Sequence, residues 1–156
     1  MNTFIKNSLR QDTAEGPSDD GLELGVCRID EGRDRLTFAG ARFSLWTLNS
    51  QGSEEIKGDK SGIGYRHVPL DRAFTNHLVP LSPGSAYYLF SDGLVDQVGG
   101  DKRRAFGKKR IIAVLEEHHA RPLIEQRDAI MDAFTAYQGD EIRRDDVTFL
   151  GFRRHS

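Results

Sequence analysis

The sequence predicts an α+β fold, antiparallel β-sheets flanked by helices, and three observations carry that expectation. Short apolar runs of strand type recur over residues 22–90, separated by turns that bear glycine, proline and aspartate. Over 107–138 the apolar residues switch to helical spacing. A last apolar run, 147–152, follows, so strands, two helices and a returning strand succeed one another, as in helices packed on an antiparallel sheet.

Residues 1–10 place Phe4, Ile5 and Leu9 at helical spacing, an amphipathic pattern too brief to persist without packing and similar to the end of a longer helix. The polar stretch 11–21, rich in Asp, Ser, Gly and Pro, reads as a loop. Strand patterns follow at 22–29, 35–39 and 43–48, divided by Asp30-Glu31-Gly32 and Gly40-Ala41, as hairpin-linked strands of a meander would be. Residues 53–57 make a weaker strand pattern. The loop 58–64 carries three glycines in seven residues and so has backbone conformations closed to other residues. An edge strand is expected at 74–79, a tight turn at Pro83-Gly84, and a central strand at 86–90, the most apolar run of the chain. In the helix 107–119, Ile111, Val114 and Leu115 share a face; in 121–138, Leu123, Ile130, Phe134 and Tyr137 do. Pro122 suits the first turn of the second helix and Gly139 its stop.

Composition narrows the function classes. The 156 residues fit a single domain, 1–156, and chains of this size bury about 68–70% of the surface exposed on unfolding. With 22 basic against 24 acidic residues, bulk charge suggests neither a nucleic-acid nor a membrane-surface partner. No run approaches the roughly 18 apolar residues of a membrane span, and 1–10 lacks a signal-peptide core. The single cysteine, Cys27, allows no internal disulfide; it reads as a small buried hydrophobe in a chain suited to a reducing cytoplasm. Trp46, between Leu45 and Leu48, is expected in the core, and His67 and His77 in exposed loops. His118-His119 close a helix, where a cationic ring suits the dipole.

The chemistry-bearing residues are carboxylates. Asp92 lies in Ser91-Asp92-Gly93-Leu94-Val95-Asp96, directly after the apolar strand, and Asp145-Asp146 precede the last strand. A turn after the strand could aim Asp92 and Asp96 at one site, and in an antiparallel sheet the exit of one strand faces the entrance of its neighbour. Acidic groups from two strands would then converge, and hard cations such as Mg2+ and Mn2+ take oxygen ligands of this kind. The alternative is plain: Asp-Gly is a common turn, and Asp145 and Asp146 can be solvated charges balanced by Arg143 and Arg144. The basic residues Lys102-Arg103-Arg104 and Lys108-Lys109-Arg110 could steer a phosphorylated partner or simply solvate a helix start.

The segment Tyr88-Leu89-Phe90-Ser91-Asp92-Gly93-Leu94-Val95-Asp96, then Arg104-Ala105-Phe106-Gly107-Lys108, two helices and Arg144-Asp145-Asp146-Val147-Thr148-Phe149-Leu150, resembles the bacterial sporulation-stage-II-E-like branch of the metal-dependent type-2C serine/threonine phosphatases. Upstream, Asp20-Gly21-Leu22-Glu23-Leu24-Gly25-Val26-Cys27-Arg28-Ile29-Asp30, Leu36-Thr37-Phe38-Ala39-Gly40 and Ser61-Gly62-Ile63-Gly64 are similar to the family's middle strands and a following loop. The resemblance implies a β-sandwich flanked by helices and two Mn2+ or Mg2+ ions that activate a water for in-line attack on phosphoserine or phosphothreonine, with no protein nucleophile. It implies metal ligation by Asp92 and Asp145, an auxiliary role for Asp96, an orienting one for Asp146 and a structural one for Thr148. A phosphorylated regulatory protein of the anti-anti-sigma type, in a partner-switching pathway, is the implied substrate.

The chain also departs from that family. Its Asp-x-x-Gly-His-Gly element is absent: no Gly-His-Gly occurs, and before residue 19 the only acidic residues are Asp12 and Glu15. The resulting expectation is a domain lacking its N-terminal strands, with Met1 internal to a larger chain. Such a chain would be weakly active or inactive alone, with exposed sheet edges inviting a homodimer. The rival expectation is a catalytically silent module that binds such a partner.

Overall fold

The computed structural model describes residues 1–11 and 18–154, so most of the loop expected at 11–21, with Asp12 and Glu15, lies outside the described residues. The described chain is α+β, with antiparallel sheets and helices, and it divides into two compact units, Met1–Leu45 with Ile56–Leu81 and Trp46–Glu55 with Ser82–Ser156.

In the first unit, β1 (Leu24–Asp30), β2 (Arg35–Ala41) and β5 (His77–Pro80) form an antiparallel sheet in the order β1-β2-β5. The β1–β2 register runs from Leu24 opposite Ala41 to Asp30 opposite Arg35, closed by a 3-10 turn over Glu31–Arg33 and left-handed Asp34. Alternation on β2 buries Leu36 and Phe38 completely. The expected edge strand is β5; His77 lies within it, half-buried with its ring 6.2 Å from Phe38, rather than in an exposed loop. Cys27 is half-buried on β1.

The meander expected over 22–48 ends after two strands. Arg42 adopts φ +54° and its N–H bonds the Asp59 carbonyl at 2.8 Å, so the chain leaves the sheet instead of reversing into a hairpin. Gly40 permits that exit, because a side chain there would run into the Phe43 carbonyl and stand 3.1 Å from the Gly58 Cα. The next strand, β3 (Ser44–Asn49), joins a different sheet, in the order β4-β3-β6-β9, with β4 (Gly52–Lys57), β6 (Ala86–Phe90) and β9 (Phe149–Arg153).

The N-terminal helix α1 (Asn2–Ser8) turns Phe4 outward, 74% exposed, and leaves Ile5 half-buried beside Gly64, while Asn2 and Lys6 are buried. Its neighbour explains this, since the facing 64–70 segment offers backbone groups rather than side-chain packing. Lys6 Nζ donates to the carbonyls of Arg66 (2.9 Å) and Val68 (2.6 Å), and Asn2 donates to Pro69 and accepts from the Gly64 N–H. Helical period located the helix, but the partner surface decided which face is inside.

In the second unit β6 is central, between β3 and β9, as its apolarity predicted. The helices α3 (Gly107–Glu117) and α4 (Leu123–Gln138) pack on it, burying Leu94, Phe106, Ile111, Leu115, Ile130 and Phe134 around Tyr88 and Phe90. Trp46 packs at the margin of this core, half-buried and stacked on Phe90. Buried Gln126 ties the α3–α4 turn: it accepts from the Tyr88 hydroxyl and donates to the carbonyls of His119 (3.2 Å) and Arg121 (2.9 Å). The expected turn after β6 is a helical turn, α2 (Asp92–Asp96). Two short strands, β7 (Val98–Gly99) and β8 (Arg104–Ala105), make a hairpin the pattern did not reveal, because two residues carry no period.

Candidate metal centre

The buried strand β6 ends at Phe90, and Ser91 begins the segment that carries Asp92. Its backbone N–H bonds the Thr148 carbonyl (3.0 Å), its hydroxyl donates to the Asp146 carbonyl (3.0 Å), and the Thr148 N–H donates to that hydroxyl (2.9 Å). Ser91 thus staples the exit of β6 to the approach of β9. A serine before a helix commonly caps it. This one makes no cap bond to α2, because its hydroxyl is engaged across the sheet.

Gly93 brings the two acidic segments closer. A Cβ at this position would overlap the Asp146 carbonyl oxygen and come within 2.9 Å of its carbon, so only glycine lets the start of α2 lie against the Asp145-Asp146 backbone. The Asp-Gly pair therefore has a packing role beside any chemical one. Asp92 and Asp96 are exposed and four apart in α2, on one helix face. Asp145 is exposed and its Oδ1 accepts the Asp146 N–H at 2.7 Å, which orients the carboxylate.

The loop before Asp145 is anchored too. Gln97, buried just after α2, donates from Nε2 to the Val98 carbonyl (3.0 Å) and the Ile142 carbonyl (3.1 Å). Arg143 lies over the Phe134 ring, 5.4 Å from its centroid. Ser91 and Gln97 carry no sequence signal of such a role beyond being polar residues on each side of the Asp92–Asp96 stretch.

The structure therefore brings the Asp92 and Asp145 segments together and puts Asp96 on the face of Asp92. Among the described residues, no group of three or more His, Cys, Asp or Glu side chains is placed to hold a metal ion. The basic cluster is partly committed to local contacts: Lys108 pairs with Glu55 (2.5 Å), Arg103 with Glu141 (2.8 Å), and Arg110 lies 4.4 Å over the Tyr137 ring. Shifted titrations lie elsewhere. The Thr75 N–H, foremost, holds the Asp59 carboxyl below its ordinary range; burial raises the Cys27 thiol to about 11 and pushes the Tyr88 hydroxyl up. Among the described residues no helix is long and apolar enough to cross a membrane.

This architecture is that of the PP2C-type phosphatase domains. The SiaA-PP2C domain of Pseudomonas aeruginosa matches with TM-score 0.79 and 32% identity over 96% of this chain and 57% of its own. The PP2C phosphatase domain with a regulatory-domain fragment of SpoIIE from Bacillus subtilis has the same fold, with TM-score 0.70 and 14% identity over 96% of this chain and 43% of that one. So does the catalytic domain of the serine/threonine phosphatase PstP in complex with two manganese ions, with TM-score 0.65 and 17% identity over 95% and 64%. The family profile described as Stage II sporulation protein E (SpoIIE) matches residues 2–155, and the chain belongs to that family. It spans less than two thirds of each of these three structures. No match is found among curated proteins.

Proposed function

We propose that this chain supplies part of a Mn2+- or Mg2+-dependent centre that hydrolyses phosphoserine or phosphothreonine in a protein, with Asp92 and Asp145 as ligands, Asp96 auxiliary and Asp146 orienting. The observation that carries this reading is the Ser91 staple, which holds two acidic segments from different strands at one place. Two carboxylates suit one hard cation with water in its remaining positions. They do not make up a two-metal centre, and the described residues offer no third donor grouped with them. A bound ion supplies charge that draws electrons from phosphoryl oxygens and acidifies water. The chain's own part is to hold the carboxylates, through Ser91, Gly93 and Gln97.

The two manganese ions of the PstP structure support the choice of cation. The resemblance supports a phosphoserine on an anti-anti-sigma-type regulator as substrate, in a partner-switching pathway of the cytoplasm. Residues 1–156 are read as one phosphatase-like domain, since the profile match runs through both units. Alone, the chain turns over weakly or not at all. Calorimetric titration with Mn2+ tests the site: wild type releases heat, and Asp92→Asn and Asp145→Asn abolish it while Asp96→Asn weakens it. Identical heats for wild type and Asp92→Asn remove Asp92 from the ligands. Phosphate release from a phosphoserine peptide at the rate of a complete family domain would overturn the low-activity reading.

A second reading, a silent partner-binding module, is favoured by the absence of Gly-His-Gly from the sequence. It requires that the phosphorylated regulator bind equally well with Mn2+ and with a chelator. Binding that needs Mn2+ excludes it.

A further inference from the structure

We propose that the groove between β3 and α3 is a docking site for an acidic segment of another protein, which seats one large apolar side chain over Trp46 and sets a carboxylate against Lys109. The inference does not rest on the metal centre.

The groove, ≈270 Å³, is formed by Trp46, Lys108, Lys109, Ile112, Ala113 and Glu116. It exists because β4 is clamped to α3 at two points whose spacings do not match. Glu55 on β4 pairs with Lys108 (2.5 Å), and Glu116 accepts from the Ser53 hydroxyl (2.8 Å). Ser53 and Glu55 are separated along the strand by about 7 Å, whereas Lys108 and Glu116 are separated along the helix by about 12 Å. Glu54, between the strand residues, is exposed on the opposite face and leaves the gap unfilled. The walls are already fixed: Trp46 stacks on Phe90 with centroids 6.1 Å apart, and Lys108 Nζ lies 5.8 Å over its ring. Across from Trp46, Lys109, Ile112, Ala113 and Glu116 fall at i, i+3, i+4 and i+7, one stripe of α3 turned away from the core residues Ile111 and Leu115. The space suits a single leucine or aromatic side chain and is smaller than the pockets that enclose whole small molecules.

The charge left uncommitted at this groove is positive. Around the start of α3, Arg103 is spent on Glu141, Lys108 on Glu55, and Arg110 on the Phe106 carbonyl and the Tyr137 ring. Lys109 is exposed and has no hydrogen-bond or ion-pair partner for its ammonium among the described residues, nor does Lys102 in the preceding hairpin. The first turn of α3 carries no acidic residue and no side-chain cap, so the helix dipole adds to the same sign. A carboxylate beside the docked apolar side chain meets this charge, and a basic segment is repelled by it. Glu116 at the other end opposes a second carboxylate there, so the occupant is acidic on one side of its anchor only. Apolar contact with Trp46 and Ile112 supplies affinity, and the charge at the rim supplies orientation and selectivity.

Trp46 is the only tryptophan of the chain, so its fluorescence reports on the groove directly. The probe is a blocked peptide with a glutamate beside a leucine, titrated into the whole chain alongside its glutamine and lysine analogues, with circular dichroism verifying that each variant is folded. The glutamate peptide is expected to shift the emission saturably and to bind about fivefold more tightly than the glutamine peptide, an advantage that high salt removes. Ala113→Met, which fills the groove from the chain's own side, should abolish the shift, and Lys109→Glu should reverse the order of the glutamate and lysine peptides. No saturable shift with any peptide, equal binding of all three, or a shift that survives Ala113→Met overturns the proposal. An emission that moves with the concentration of the chain alone overturns it too, because a second copy then occupies the groove.

Discussion

The two units are held together by different means. In the second, packing dominates: Phe106 and Phe134 meet edge to face with centroids 5.8 Å apart, and the helices add Ile111, Leu115 and Ile130, each 0–1% exposed. In the first, buried polar side chains hold irregular backbone. Lys6 and Asn2 serve the 64–70 segment, and Gln11 donates to the carbonyls of Asp20 (2.6 Å) and Gly64 (2.9 Å) while accepting from the Asp20 N–H (2.7 Å). The contrast follows from what each side chain faces. A helix or sheet satisfies its own backbone and leaves only apolar surface to bury; a loop leaves backbone groups that buried donors must satisfy.

Substitutions can break this contrast. Phe134→Ala, which removes a fully buried ring from the second unit, is expected to cost about 3–5 kcal/mol in denaturant unfolding followed by Trp46 fluorescence. A loss below about 1 kcal/mol would mean that the core collapses around the gap and packing does not dominate there.

Lys6→Met probes the other unit, keeping the stem and deleting the donor that the Arg66 and Val68 carbonyls share. About 1–3 kcal/mol should be lost, with faster hydrogen exchange confined to the first unit. Phe4→Ser on the same helix should stay within about 0.5 kcal/mol, because Phe4 lies 74% exposed. If Phe4→Ser costs more than Lys6→Met, the apolar stripe is the buried face and the polar scaffold is wrong.

A smaller effect distinguishes the units by pH. Asp59 accepts from the Thr75 N–H (2.7 Å) and from Arg72 (2.8 Å), and its side chain is 14% exposed. Its carboxyl is depressed when folded, so the stability it contributes is present above the unfolded value near about 3.9 and is lost as pH falls through the lower folded value. Unfolding measured from neutral pH down into the acid range should show wild type losing more stability than Asp59→Asn. Parallel profiles would show that this loop clamp contributes nothing.

The same contrast explains what the sequence made legible. Apolar period located β6, α3 and α4 because those elements bury side chains against side chains, the interaction that periodicity records. It misjudged α1, where the inward residues are Asn2 and Lys6, and it joined β3 to β2 because a positive φ at Arg42 has no sequence signature outside glycine. The candidate site divided along similar lines. Asp92, Asp96 and Asp145 stood out as carboxylates beside strands. Ser91 and Gln97 did not, since their roles are hydrogen bonds to the carbonyls of Asp146 and Ile142, some forty-five to fifty-five positions away.

Cys27 offers the gentlest probe, because it reports on the first unit without disturbing packing. It was expected to be buried and is half-buried, on the edge strand β1 beside exposed Val26 and Ile29. Burial nevertheless raises its thiol to about 11. The thiolate is the nucleophile, so near pH 8 roughly one native molecule in a thousand is reactive, against about a quarter of unfolded ones. Iodoacetamide should therefore modify the native chain about a hundredfold more slowly than the denatured chain. The linkage has the opposite sense to that of Asp59. The unfolded thiol ionises first, so stability falls as pH rises above about 8.5 and levels off beyond the folded value of about 11. Cys27→Ala should remove that slope. Native labelling at the denatured rate would mean that β1 opens readily, and that the polar anchors of the first unit leave its sheet edge loose.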